Sequence, residues 1–380
     1  MDYTEEQQMM RDTVREFAKN EIEPVSAELD EKAEFPAENF KKMAALGFLG
    51  IPFPEEYDGA GMDTVSLALA IEEVAKVCGG TCLSMAAHIS LCATPIYLFG
   101  TEEQKKKYLS PLAQGTSLGS FCLTEPGSGS DAGAAKTSAV LQGDYYILNG
   151  SKAFVTNAGV ADTFIVFAKT APDEGTKGMS AFIVEKGFDG IVVGKKEDKL
   201  GVRASDTHPV SFENCRVPKE NLLGKERDGF KQALITLDGG RIGIGAMAVG
   251  LAQGAMEKAA AYAKEREAFG KAISKFQAIG NMFADMATEI HAGRLMVHHA
   301  ARLRDKGKPY TREAAMAKLF ASEAAMRATK NAIQIFGGYG FCMDYPVERY
   351  WRDAKLTVIG EGTSEVLRVI ISREILKELA

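Results

Sequence analysis

The sequence predicts an α+β protein in three blocks: a helical domain (1–118), a β domain, barrel or sandwich (119–225), and a helical bundle (226–380). Three observations carry this. Apolar residues recur at helical spacing through the first block. Short β-branched and aromatic runs, punctuated by Gly and Asp, fill the second. Long uninterrupted stretches of helical periodicity fill the third.

In the first block, Thr4-Glu5-Glu6-Gln7 reads as a capping box, and Met10, Val14, Phe17 and Ala18 form the face of the helix it opens. Pro24 interrupts that helix. Phe35-Pro36 opens another, which stops at Leu46-Gly47 in a Schellman-type cap. A turn-rich loop spans 51–63, and helices follow over 65–77, 83–99 and 101–114. Strand-like runs then occupy 120–124, 145–147, 154–156, 163–167, 180–184, 191–193, 210–212 and 215–217, with Asn149-Gly150 as a hairpin-turn signal. Their spacing suggests a small antiparallel barrel or sandwich. Helices over 230–263, 276–304, 311–336 and 365–379 complete the chain. The α–β junctions near 120 and 225 are natural ligand clefts.

Composition sets limits. Hydrophobic residues at 46% and charged residues at 25% are ordinary for a globular protein of 380 residues, a length that suits two or three domains. The net charge of −6 is spread along the chain and gives no basis for a nucleic-acid surface. No apolar run approaches the ~20 residues of a membrane span, so no stable membrane insertion is expected. The acidic start, Met1-Asp2-Tyr3-Thr4-Glu5-Glu6, has neither a secretory nor a transit pattern, and a cytoplasmic protein is expected. The cysteines (78, 82, 92, 122, 215, 342) form no C-x-x-C pair, so reduced thiols and no metal site are expected. Histidines 88, 208, 291, 298 and 299 make no triad or metal spacing; His298-His299 read as a helix flank.

Five stretches can carry chemistry. In Phe121-Cys122-Leu123-Thr124-Glu125-Pro126-Gly127-Ser128-Gly129-Ser130-Asp131 a strand runs into a Gly/Ser loop that holds a phosphate or is simply a turn. In Gln334-Ile335-Phe336-Gly337-Gly338-Tyr339-Gly340 the glycines end a helix, and their surplus over the one a cap needs suggests close approach of a flat or polyanionic group. Arg266 to Lys271 with Phe276-Gln277 is a polar cluster or a solvated turn. In Leu237-Asp238-Gly239-Gly240-Arg241, Asp238 is either a ligand contact or an N-cap. Last, Gly360-Glu361-Gly362-Thr363-Ser364 either breaks and caps helices or presents a carboxylate with no neighbouring side chain in its way.

Together, these stretches resemble the acyl-CoA dehydrogenase family along essentially the whole chain. The loop 122–134 and the stretch 334–353 look like its signatures; Leu237 to Gly243 and His88 to Cys92 look like its short-chain, butyryl-CoA-type branch. The resemblance implies a helical N-terminal domain, a middle antiparallel β-barrel and a C-terminal four-helix bundle that builds a homotetramer. It implies FAD, held by Phe121, Leu123, Thr124, Gly129, Ser130, Phe154 and Thr156. Arg266, Phe269, Phe276, Gln277, Gln334, Gly337 and Gly338 would reach the FAD of a neighbouring subunit, and Thr363 and Glu365 would complete that site. Ser130, Asp238, Arg241, Gly360 and Gly362 would contact the acyl-CoA substrate, and Glu361 would be the catalytic base.

The implied reaction is α,β-dehydrogenation of a short-chain acyl-CoA to the trans-2-enoyl-CoA, with an electron-transferring flavoprotein as acceptor. Burial should raise the pKa of Glu361. Some relatives place their base at the position of Gly240, which carries no carboxylate here. Two departures stand out: Gly360 where a bulky Tyr is usual, and Phe154 where Trp is frequent. Gly360 widens the expected acyl pocket, which makes a branched or cyclic acyl-CoA the alternative substrate. An acyl-CoA oxidase, a reductase and a non-catalytic scaffold are the further rivals.

Overall fold

The computed structural model describes residues 2–379. Helix α1 (Glu5–Phe17) begins at the expected capping box. The Thr4 hydroxyl accepts from the Gln7 N–H at 3.2 Å, and the Gln7 side chain accepts from the Thr4 N–H at 3.1 Å. A π turn and a 3-10 turn around Pro24 separate α1 from α2 (Ser26–Lys32). Helix α3 (Ala37–Ala45) stops at Gly47, with Gly47 N–H on Ala44 O at 3.0 Å and Phe48 N–H on Met43 O at 2.9 Å, the Schellman pair. Helix α4 (Thr64–Ala75) is buried all round. Helices α5 (Gly79–Ala86), α6 (Thr94–Phe99), α7 (Glu102–Gln104) and α8 (Ser110–Gln114) finish the block, with a π segment between α5 and α6.

The middle block is a single sheet. Its strands are β1 (Gly119–Cys122), β2 (Ser138–Gln142), β3 (Tyr145–Thr156), β4 (Thr163–Lys169), β5 (Met179–Glu185), β6 (Ile191–Val193), β7 (Thr207–Pro218) and β8 (Leu222–Leu223). Their order is β6-β7-β3-β2-β4-β5-β8, with β1 against β4. The β1–β4 and β2–β4 pairings are parallel, so the sheet is mixed rather than purely antiparallel. The long chain between β1 and β4 provides the crossover that a parallel pair requires.

Asn149-Gly150 is not a hairpin turn. The turn falls at Gly143-Asp144, where Gln142 pairs with Tyr145, and Gly150 lies in a bulge within β3. A Cβ on Gly150 would come within 2.5 Å of the Thr137 hydroxyl, so the glycine serves close strand approach.

The last block opens with α9 (Gly229–Glu265), 37 residues long. A small ribbon, β9 (Glu267–Ala268) with β10 (Lys271–Ala272), leads to α10 (Gln277–Asp305). Helices α11 (Thr311–Phe336), α12 (Val347–Thr357) and α13 (Ser364–Glu378) follow. Asp238 is mid-helix in α9 and caps nothing. His298 is buried, at 1% exposure, rather than on a flank.

The expectation that no apolar run reaches membrane-span length is also corrected. The stretches Gly79–Phe99 and Gly229–Glu265 meet that length and apolarity, but 78% of each apolar window is buried inside the protein. They are core helices here.

Helix α12 ties the blocks together just ahead of Glu361. Arg352 donates to Asp30 of α2 at 2.7 Å and to Leu200 O at 3.1 Å. The buried Asp353 carboxylate accepts from the N–H of Val202, a β-branched residue held at φ 46°. Burial pushes the Asp353 carboxyl from its ordinary 3.8 up to about 7. A raised folded pKa means this contribution to stability is full below about pH 4 and is lost as pH rises through about 7. Asp353→Ala should lower unfolding stability by about 2–4 kcal/mol, because the Val202 N–H loses its buried partner. Urea titrations at pH 5 and pH 8 check both points: the wild type should be the more stable at pH 5, and the variant should lack that share of the difference.

Candidate active site

Glu361 closes the turn between α12 and α13. Its backbone is left-handed, at φ 55°, an unusual state for a residue with a side chain. The turn throws the carboxylate back against α9, where a Cβ on Gly240 would lie 2.0 Å from Glu361 Oε2 and 3.1 Å from Leu91 Cδ2. Oε2 is buried and, among the described residues, has no hydrogen-bond partner. A buried oxygen of this kind is costly unless a ligand completes it. Burial pushes the Glu361 carboxyl up to about 7, against the pull of the Lys318 and Arg241 cations. That is the range a general base at neutral pH requires.

Asp238 and Arg241 stand one helical turn apart on α9 and form an ion pair. Asp238 also accepts from the Thr311 hydroxyl at 2.6 Å. The Arg241 Nε is a further buried atom without a partner. The structure therefore gathers Glu361, Gly240, Asp238 and Arg241 around one turn of α9.

A second wall comes from the β block. Glu125 accepts from Lys152 Nζ at 2.8 Å and from the N–H groups of Lys136 and Thr137 at 2.6 and 2.9 Å. Burial opposes the ionised form of Glu125, yet Lys152 and these donors hold its carboxyl down at about 2. This buried pair pins the loop 123–137. The loop then meets β3 where Ala153 N–H donates to Thr124 O at 2.8 Å. There β3 bulges again, and Phe154, at φ 55°, turns outward with 67% exposure. Phe121, Leu123, Thr124, Phe154 and Thr156 thus belong to one connected wall, with Gly129 and Ser130 exposed on the loop beyond it.

The other candidates lie apart. Arg266, Gly337 and Gly338 line a cavity of about 430 Å³ with Tyr262, Ile273 and Phe336. Phe269 is 96% exposed beside it, with its ring 6.1 Å from that of Phe276, and Gln277 and Gln334 are exposed. Gly337 alone caps α11; Gly340 is buried, with a Cβ position 2.4 Å from Ile333 O, so packing accounts for it. Thr363 and Glu365 line a separate cavity of similar size with Lys355, Arg327, Val358 and Ile359. Within one chain the structure does not bring Thr363 and Glu365 to the Arg266 cavity. Among the described residues no group of three or more His, Cys, Asp or Glu is placed to hold a metal ion.

Sequence reasoning missed Lys318 and the Glu125–Lys152 pair. A signal for the first was present: Lys318 is the one charged residue on the small-residue stripe Ala314, Ala321, Ala325 of α11. Glu125 and Lys152 are distant in sequence, and no local pattern joins them.

A strained carboxylate buried at the meeting of a helical bundle and a β wall defines an enzyme cleft of the acid–base kind. Comparisons with known proteins specify which. The acyl-CoA dehydrogenase N-terminal, middle and C-terminal domain models match residues 4–116, 120–215 and 227–376. The chain is 55% identical over 374 residues to the short-chain specific acyl-CoA dehydrogenase of Clostridium acetobutylicum, covering 98% of this chain and 99% of that one. It superposes on butyryl-CoA dehydrogenase from Megasphaera elsdenii with TM-score 0.97 and 46% identity, covering 99% of both chains. It superposes equally fully, with TM-score 0.98 and 56% identity, on a chain from the work "Electron transferring flavoprotein of Acidaminococcus fermentans: Towards a mechanism of flavin-based electron bifurcation". The chain belongs to the acyl-CoA dehydrogenase family, whose members are FAD-dependent oxidoreductases.

Proposed function

We propose that this chain oxidises a short-chain acyl-CoA to its trans-2-enoyl-CoA with Glu361 as the base. The observation that carries this reading is the buried, unpartnered Glu361 oxygen lying against Gly240. An α-hydrogen beside a thioester is only weakly acidic. Removing it needs a carboxylate in a dry cleft and donors aimed at the carbonyl oxygen, where charge develops. Glu361 takes the α-proton onto its carboxylate, and its backbone N–H is the donor this chain offers to the thioester oxygen. Asp238 and Arg241, fixed to each other on α9, position the thioester chain, and Ser130, Gly360 and Gly362 flank it.

The residues present fit FAD. A Cβ added at Gly127, Gly129, Gly337 or Gly338 meets no atom within 4 Å, and Phe154 and Phe269 offer exposed aromatic faces. When bound, FAD supplies the acceptor for the β-hydride. Phe121, Leu123, Thr124, Gly129, Ser130, Phe154 and Thr156 would hold it from one subunit. Arg266, Phe269, Phe276, Gln277, Gln334, Gly337 and Gly338 would hold it from a neighbour, with Thr363 and Glu365 completing the site. The separation of those two groups within one chain supports an assembly in which they meet between subunits, and a homotetramer is the assembly proposed. An electron-transferring flavoprotein as acceptor, a cytoplasmic location and domains at 1–118, 119–225 and 226–380 complete the proposal. The purified protein should be yellow, and butyryl-CoA should bleach it without oxygen; a yellow protein that no acyl-CoA bleaches overturns the reading.

Gly360 bears on the acyl group. The three atoms nearest a Cβ there all belong to Leu356, at 3.6 to 3.7 Å, so the backbone does not require a glycine. The absent side chain at Gly360 is what would widen the acyl pocket beside the base. Bleaching rates on isobutyryl- and cyclohexanecarboxyl-CoA should match or exceed the butyryl rate. Gly360→Tyr should lower the two bulky rates by about tenfold relative to butyryl, the size of effect that steric fit in an apolar pocket produces. A wild type with a steep butyryl preference contradicts the widened pocket.

A further inference from the structure

Lys318 lies in the middle of α11 with its side chain fully buried. An ammonium is poorly suited to that place, since an apolar side chain of similar volume fills it without loss of hydration. Its Nζ donates to Gly362 O at 2.5 Å. Gly362 is at φ 104° and directly follows Glu361 at φ 55°, so the bond fastens the second of two consecutive left-handed residues. Such a turn persists only where its surroundings hold it.

The charges around the base are few. Lys318 faces the Glu361 carboxylate from α11 and Arg241 faces it from α9. Arg241 is already paired with Asp238 and sits near Arg373 and Tyr310, while Lys318 is also near Glu365 of α13. From the bundle side, then, Lys318 is the cation whose hydrogen bond goes to the turn itself.

We propose that Lys318 is the positioning residue of the proton-abstracting turn. Its ammonium holds the Gly362 carbonyl, and so the aim of Glu361, and its charge keeps that carboxylate ionised before substrate arrives. The inference rests on the reading of Glu361 as the base. Burial brings the two groups close together, with Lys318 pushed down to about 8 and Glu361 up to about 7. Removing the Lys318 charge therefore moves Glu361 further up, and the active, ionised base appears only at higher pH.

The test is made on the FAD-loaded enzyme with butyryl-CoA. Lys318→Met should lower kcat at pH 7 by about tenfold and move the midpoint of its rise with pH upward by about one unit, a tenfold change in the ionisation equilibrium. KM should change little. Lys318→Gln, which keeps a donor without the charge, should show the same shift with a smaller loss of kcat. Infrared titration of the buried carboxyl in the apo-protein should show the shift without turnover; if the Met variant does not fold, the Gln variant carries the test by both readouts. Wild-type midpoints in whichever variants fold overturn the inference. Glu361→Gln measured alongside separates the two readings: if it still turns over, the base assignment fails. If it is inactive while the Lys318 variants keep the wild-type midpoint, only the role of Lys318 fails.

Discussion

Glu361→Gln is expected to lower turnover about a thousandfold while the protein keeps its fold and its yellow colour. The change keeps size and polarity and removes only basicity, and a positioned general base contributes roughly two to four orders of magnitude. The buried oxygen has no partner to lose, so the neutral amide is tolerated at least as well as the buried charge. In the wild type the ionised form is the base. With the carboxyl raised to about 7, activity should therefore rise with pH through about 7 and level off above it. The Gln variant should lack that limb. Thermal melting and flavin absorbance measured with kcat check the three statements together.

Gly240→Ala is expected to separate stability from activity. The added methyl would stand 2.0 Å from Glu361 Oε2 and 3.1 Å from Leu91 Cδ2. Helix α9 is fixed by packing along its length, whereas the far end of the Glu361 side chain is free to swing. The carboxylate gives way, and the base leaves its aim at the α-hydrogen. Misplacement of about 1 Å costs on the order of a hundredfold in rate. The fold should not suffer, because Ala is the better helix former by roughly 1 kcal/mol. A fall of about a hundredfold in kcat with an unchanged or raised melting temperature is the expected result; a variant with wild-type kcat contradicts the contact.

What was legible in the sequence is what local rules determine. The Thr4 capping box, the Gly47 stop and the three long helices follow from side chains acting on their own turn of backbone. Asn149-Gly150 shows the limit of such rules. It has the chemistry of a hairpin turn, but Thr137, just ahead of the neighbouring strand β2, needs the space, and the glycine serves a bulge instead. Asp238 likewise has the chemistry of an N-cap and lies inside a helix that begins at Gly229. The parallel pairings of β4 depend on a crossover that no strand pattern announces.

The site divides in the same way. Glu361 between glycines was visible as a candidate, and its resemblance to a family motif gave it a role. Its left-handed backbone and its contact with Gly240 come from tertiary packing, as does its cover by Lys318 from a third helix. No spacing rule connects those three positions. Phe154 was visible as an aromatic residue, whereas the bulge that turns it outward depends on the register of β3 against β7.

The central claim is that Glu361 takes the α-proton. Exchange of the α-hydrogens of butyryl-CoA with deuterated solvent, followed by mass spectrometry under anaerobic conditions, tests it most directly. The wild type should incorporate deuterium at the α-carbon, and flavin-loaded Glu361→Gln should not. Exchange by the variant at the wild-type rate would show that another group removes the proton and that the assignment is wrong.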